Sequence, residues 1–286
     1  MENKTKKKIH PAVLVVGGIL IGVVAVWFVY RSFCYEETDD AFVQGHIVAI
    51  SPKVSAHVEK VLVDDNQSVK AGDLLLELDS RDFEVKVAMA QADLEAARAE
   101  EEQAKRDVVR YQLLVEKEEL SKQAFDKAQL RLQTASAQRA AAQSSLRQAQ
   151  LNLSYTKIYA PVSGHISKKA VELGDFVQGG QPLLAIVQDG MWVVANFKET
   201  QLKNMHLGQK ATIKIDTYEG QEFVGHVDSI QYGTGSTFSM FPPENAAGNY
   251  VKVVQRIPVK IVFDDDPDQN HPLRVGMSVV PEVKVR

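Results

Sequence analysis

Residues 81–153, seventy-three in all, include neither glycine nor proline and are rich in Ala, Gln, Glu, Arg and Leu. These are strong helix formers, and a single helix of that length would run about 110 Å. Apolar positions step by four and three through Phe83, Val87, Ala90, Leu94, Ala97, Ala104, Val108, Tyr111 and Val115, with Glu101 as a charged interruption. A second series runs through Phe125, Ala128, Leu132, Ala135, Ala142, Leu146, Ala149 and Leu153, interrupted by Arg139. Sustained heptads of this kind mark coiled-coil seams. If the chain reverses near residue 120, positions at equal depth sum to 240, as Leu94 with Leu146, Val108 with Leu132, and Glu101 with Arg139 do. The spacing predicts an antiparallel helical hairpin over 80–154, its tip at residues 116–122 and about 50 Å from its base. Glu101 and Arg139 are expected to form an ion pair that pins the register, a known use of polar seam residues. The other reading sends both side chains to solvent, where a pair is worth under about 1 kcal/mol.

A short unit is written twice on either side of this insert. PKVSAHVEKVL (52–62) and APVSGHISKKA (160–170) share Val-Ser-small-His-apolar at an offset of 108 residues. The same offset matches Val63 to Val171, Val69 to Val177, Gly72 to Gly180, and Leu75-Leu76 to Leu183-Leu184. Each copy alternates short β-type runs with Gly, Asn and Asp turn signals. About thirty residues of sheet cannot bury a core alone, so the copies (50–79 and 155–189) are expected to pack as one split β-domain. The hairpin is then an excursion from its seam. Residues 190–286 carry further β runs, WVVANF, ATIKI, EFVGHVDSI, VKVVQRIPVKIVF and VVPEVKV, at a spacing that suggests a small barrel. AFVQGHIVAI (41–50), within a linker region 32–49, is expected to add a strand to it.

Residues 12–30, AVLVVGGILIGVVAVWFVY, hold no charge and would span about 28 Å as a helix, close to a bilayer's hydrocarbon thickness. Four lysines precede the stretch, and Glu36, Glu37, Asp39 and Asp40 follow Arg31. The positive-inside rule puts a tail of residues 1–11 in the cytoplasm and everything past the anchor (12–31) across the membrane. A cleaved signal peptide has a shorter apolar core and a small-residue cleavage site, unlike the Trp-Phe-Val-Tyr-Arg ending here. Net charge is −4, which argues against nucleic acid as a partner. The single cysteine, Cys34, excludes an internal disulfide framework and a Cys-based zinc site.

A split lipoyl-like domain, an inserted helical hairpin and an N-terminal anchor together resemble the HlyD/EmrA-type membrane fusion proteins, the periplasmic adaptors of export systems. TDDAFVQGHIVAISPKVSAHV (38–58), WVVANFKETQL (192–202) and GTGSTFSMFPPENAAGNYVKVVQRIPVKI (233–261) carry the resemblance. It implies a multidomain α+β fold: transmembrane helix, split lipoyl (barrel-sandwich hybrid) domain with inserted antiparallel coiled-coil hairpin, and C-terminal small β-barrel. It further implies a homo-oligomer, a hexamer by family habit, between an inner-membrane transporter and a TolC-like outer-membrane channel. A proton-driven major-facilitator transporter is favoured over an ABC exporter. Family adaptors that dock on such channels often carry R-x3-L-x6-S at the tip, which Arg110, Leu114 and Ser121 match in spacing. Arg110 and Leu114 share a helix face, and Ser121 is placed to cap the second helix; the plainer reading is a solvated face with an ordinary cap. Phe238, Met240 and Phe241 in the 233–250 loop are candidates for contact with a transporter or neighbouring subunit, or else fold back over the barrel.

No constellation asks for catalysis, cofactor or metal. The seven histidines are scattered, and residues 264–268 lack the central Gly and closing Glu of a calcium loop. Lipoyl relatives present a modified lysine on a tight turn between the halves. Here helix replaces that turn, so an enzyme's carrier domain is disfavoured.

Overall fold

The computed structural model describes residues 22, 26, 27, 30, 31, 33–235, 237, 254–265 and 271–286. Its contacts divide the chain into two units, 1–46 with 189–286 and 47–188.

In the second unit, two four-stranded antiparallel sheets are built from both copies of the repeat. One runs β3 (Ile47–Ile50), β10 (Leu184–Val187), β8 (Gly164–Lys169), β5 (Ser68–Val69). The other runs β7 (Lys157–Tyr159), β6 (Leu74–Leu78), β4 (Ala56–Val61), β9 (Phe176–Val177). At the 108-residue offset the second sheet is the image of the first, strand for strand. Neither copy makes a sheet alone, because each lends strands to both. The matched pairs Val58/Ile166, Val63/Val171, Val69/Val177, Leu75/Leu183 and Leu76/Leu184 are all buried in the shared core.

The same symmetry governs the turns. Ala71 N–H donates to Ser163 Oγ at 2.9 Å, and Gly179 N–H donates to Ser55 Oγ at 3.1 Å. The serine of each Val-Ser motif thus satisfies a turn amide of the other copy, which otherwise finds no ladder partner. Gly72 and Gly180 take φ of +92° and +85°, where any Cβ is strained. That accounts for glycine at both equivalent places.

Between β6 and β7 the chain forms α1 (Arg81–Glu116) and α2 (Lys122–Ser154). Thirty-six residues make α1 about 54 Å long. Its side chains shielded from solvent are the seam positions read from the sequence, with Asp107 and Leu114 beside them. Ala90, Leu94 and Leu146 form a buried cluster with Val87, Ala142 and Ala149 packed around it. Alanine between larger residues lets the helices approach closely.

The first unit is a seven-stranded sheet in the order β1 (Tyr35–Glu37), β15 (Val279–Lys284), β12 (Lys210–Ile215), β13 (Glu222–Ile230), β14 (Arg256–Phe263), β11 (Trp192–Lys198), β2 (Ala41–Gln44). Val43 N–H donates to Met277 O at 2.9 Å and Gly276 N–H donates to Val43 O at 2.8 Å, which closes the sheet into a barrel. Val43, Val193, Phe197, Ile213, Val259 and Ile261 fill it.

The structure corrects one boundary. The expected single strand over 41–50 is cut at Gly45-His46: Ala41–Gln44 joins the barrel, whereas Ile47–Ile50 pairs with β10 and buries Ile50 in the sandwich. The short β1 within the expected linker also joins the barrel, through β15. The anchor expected over 12–31 lies mostly outside the described residues. Residues 22, 26, 27, 30, 31, 33 and 34 are helical, and among described residues no helix is long and apolar enough to cross a membrane.

Candidate functional site

The hairpin carries the features that the sequence singled out, and both its legs are fixed to the sandwich. Leu78 N–H donates to Thr156 O and Asp79 N–H donates to His57 O, each at 2.8 Å. At the start of α1, Asp79 accepts from the Arg81 backbone N–H at 3.1 Å and from its guanidinium at 2.5 Å. The Arg81 hydrogen bonds hold the Asp79 carboxyl down at about 2 and raise the Arg81 guanidinium in turn. At the end of α2, Thr156 is buried and its hydroxyl returns to Leu153 O at 2.7 Å. This elbow has no periodic signature in the sequence; an Asp two residues ahead of a long helical run is the one local signal that could have found it.

Midway along the rod, Glu101 and Arg139 meet. Arg139 Nε lies 3.3 Å from Glu101 Oε2, and Lys105 Nζ, one turn along α1, lies 3.3 Å from Oε1. The Glu101 side chain is 9% exposed, whereas Arg139 and Lys105 reach solvent at 45% and 57%. Burial works against the charge of Glu101, but hydrogen bonds from Lys105 and Ser136 and the nearby Arg139 outweigh it. The carboxyl is held below its ordinary range. A buried acid is tolerable here because each oxygen faces a cation.

At the tip, residues 117–121 reverse the chain, with Glu118 at φ 59°. Ser121 caps α2, its Oγ accepting from Ala124 N–H at 3.4 Å. That bond is long, and Ser121 stands at an exposed position. Arg110 is exposed and paired with Asp107 three residues earlier. Leu114 is half-buried beside the seam. Arg110 and Leu114 sit one turn apart, and Ser121 lies beyond the reversal; Phe238, Met240 and Phe241 lie outside the described residues. Among the described residues no group of three His, Cys, Asp or Glu side chains is placed to hold a metal.

Comparison with known proteins covers nearly the whole chain. The domain family described as "RND MFP, barrel-sandwich hybrid domain" matches residues 46–189, and the "AAEA-like beta-barrel domain" matches residues 190–284. The chain is 33% identical to the multidrug export protein EmrA of Haemophilus influenzae, over 100% of this chain and 86% of that one. It is 37% identical to the protein of the same name from Escherichia coli K12, over 90% of this chain and 78% of that one. Among solved structures, a MacA-MexA chimera containing the Pseudomonas aeruginosa MexA α-hairpin domain superposes with a TM-score of 0.66. It is 26% identical and covers 88% of this chain and 82% of its own.

Proposed function

Because the chain belongs to the HlyD/EmrA-type membrane fusion proteins, we propose that it is the periplasmic adaptor of a drug-efflux assembly. It is held in the inner membrane by residues 12–31, with the tail in the cytoplasm and the rest in the periplasm. The observation that supports this best is the rod itself. A pair of helices about 50 Å long, tied at both legs to a two-sheet sandwich and ending in a short capped reversal, suits reach and contact more than chemistry.

The mechanism is architectural. The anchor and barrel engage an inner-membrane transporter, a proton-driven major-facilitator protein on the EmrA likeness. Copies associate through their periplasmic domains into a ring, six by family habit. The tips, through Arg110, Leu114 and Ser121, engage a TolC-like outer-membrane channel. The Glu101–Arg139 pair fixes the hairpin register so that all tips end at one height. Phe238, Met240 and Phe241 contact the transporter or the next subunit. Energy coupling belongs to the transporter, and this chain needs no cofactor.

Complementation tests the proposal. In a strain lacking the chain, the full-length protein should restore drug resistance. A variant with residues 117–121 replaced by a Gly-Ser linker should reach the membrane in equal amount yet restore none. Equal resistance from both would refute a bridging role for the tip.

A further inference from the structure

The two copies of the repeat meet at their edges as well as in their core. β3 ends one sheet of the sandwich and β7 ends the other, and the 108-residue offset makes them equivalent strands. Between them opens a cleft of about 530 Å³, lined from residues 49–53 of one copy and 154–161 of the other. The copies agree at its floor, where Ile50 and Ile158 are both buried in the shared core. Beside the floor they differ. Ala49 stands where the second copy has Lys157, and Ser51 stands where it has Tyr159. Small side chains on one wall leave the space open, and long ones on the other enclose it. Strands packed only for stability have no need of that difference.

The charge of the cleft is one-sided. Its lining includes Lys53 and Lys157 and no carboxylate, in a chain whose 37 acidic residues outnumber its 33 basic ones. Lys53 Nζ lies 4.6 Å from the centre of the Tyr155 ring, a cation–π contact that holds the ammonium in place. Glu77 lies opposite Lys157 on the next strand, but its carboxylate bonds to Lys60 at 2.8 Å and is not part of the lining. Among the described residues, neither Lys53 nor Lys157 forms an ion pair. Ser51, Tyr155 and Tyr159 add hydroxyl donors around the apolar floor. A few convergent polar groups on apolar and aromatic walls, in a volume of about 300–1,000 Å³, are what a small-molecule site requires.

We propose that this cleft binds an amphiphilic organic anion, a carboxylate or sulfonate joined to a ring system or an acyl chain. The acid group meets Lys53 and Lys157, and the apolar body lies along Ile50, Ile158 and the two tyrosine rings. Both copies of the repeat build the site, and so does the foot of α2, since Tyr155 follows the helix's last residue, Ser154. A helix C-terminus carries partial negative charge and repels an anion. The two lysines must therefore supply the electrostatic attraction, and binding depends on them. An occupant also ties β3 to the foot of α2, so it slows amide exchange in both.

Equilibrium dialysis of the full-length protein in phosphatidylcholine nanodiscs, with empty discs as blank, tests it using anilinonaphthalene sulfonate as probe. A single saturable site per chain should appear, and Lys53→Gln with Lys157→Gln should weaken it about tenfold or more. Ala49→Leu, which fills the open wall, should weaken it as much with both lysines intact. Lys70→Gln with Lys168→Gln removes two exposed lysines elsewhere on the sandwich and should change affinity about twofold or less. Equal losses from the two double variants would reduce the effect to general charge attraction and overturn the site. Displacement of the probe by inorganic phosphate, or equal binding of a cationic aromatic dye of similar size, would overturn it too. Displacement by naphthoate identifies a soluble anion as the ligand class, and displacement by a short-chain phosphatidylglycerol identifies a lipid. Either supports the site, and displacement by neither overturns it. Bound probe should slow exchange over residues 47–53 and 150–159 by about threefold or more; protection confined to the barrel would refute the location. Neither transporter nor channel takes part, so a negative result here leaves the adaptor role standing.

Discussion

Replacing Leu94 by alanine tests whether the hairpin is a packed unit or merely two adjacent helices. Leu94 is 1% exposed and meets Leu146 and Ala90 in the buried cluster of the seam. Leu→Ala in protein cores costs about 2–5 kcal/mol, more where the cavity cannot collapse. Here the core is one layer deep and its neighbours are mostly alanine, so the gap closes or wets easily. The expected loss is therefore about 2–3 kcal/mol, at the low end. The hairpin should open as a sub-global unit while the sandwich stays closed, so the loss belongs to hairpin amides. At about 1.4 kcal/mol per factor of ten, native-state exchange should accelerate about 30- to 150-fold over residues 84–110 and 130–153. It should not change over β4 and β8. Met89→Ala, on the exposed side of the same helix, is the control: in dilute detergent it should shift exchange by about twofold or less. A Leu94→Ala effect below about threefold, or one that spreads equally to the sandwich, would refute the seam as described.

Four further outcomes follow from named contacts. Reversing Glu101 to Arg or Arg139 to Glu should each loosen the middle of the hairpin by exchange, and the double reversal should recover most of the loss; additive losses would show the two act separately. Because the Glu101 carboxyl is held low, its contribution is complete above the ordinary glutamate range and fades as pH falls through the depressed value. Glu101→Gln should flatten the acid dependence of hairpin exchange, and an unchanged profile would count against the ion pair. For Asp79, with its carboxyl near 2, the stabilisation is full above the unfolded value near 3.8 and disappears as pH falls through about 2. NMR titration should place the Asp79 midpoint near 2 and Arg81→Ala should move it up toward 3.8. Gly164→Ala should destabilise the sandwich by about 1–3 kcal/mol in thermal denaturation, since a Cβ there would lie 2.2 Å from Val187 O; the copy's equivalent, Ala56, already holds a Cβ.

What the sequence disclosed, it disclosed through periodicity. Every seam residue from Phe83 to Leu153 except Arg139 is shielded from solvent, because a heptad carries its inward face in its spacing. The repeat disclosed two equivalent halves for the same reason: Val58 and Ile166 must fill equivalent places in one core. Features made by meeting across the fold left no such trace. Ser55 and Ser163 show in the sequence only as repeated letters, although each satisfies an amide on the other copy. The Asp79–Arg81 pair lies where periodicity gives no signal, and the split of residues 41–50 between two sheets turns on which neighbours β2 and β3 find. Alternation alone predicts a strand but not the sheet that receives it. At the tip, spacing located Ser121 at a helix start, and a cap in just that position is formed. A partner's surface leaves no trace in one chain's periodicity, so channel docking calls for an experiment of its own.

That experiment is photocrosslinking from the tip in living cells. A photoreactive residue at Ser121 should yield an adduct with an outer-membrane channel protein, identified by mass spectrometry, while the same residue at solvent-facing Gln143 near the rod's middle should not. Such an adduct is what a bridging adaptor predicts. Adducts confined to other copies of this chain, from protein that is folded and membrane-inserted, would contradict it.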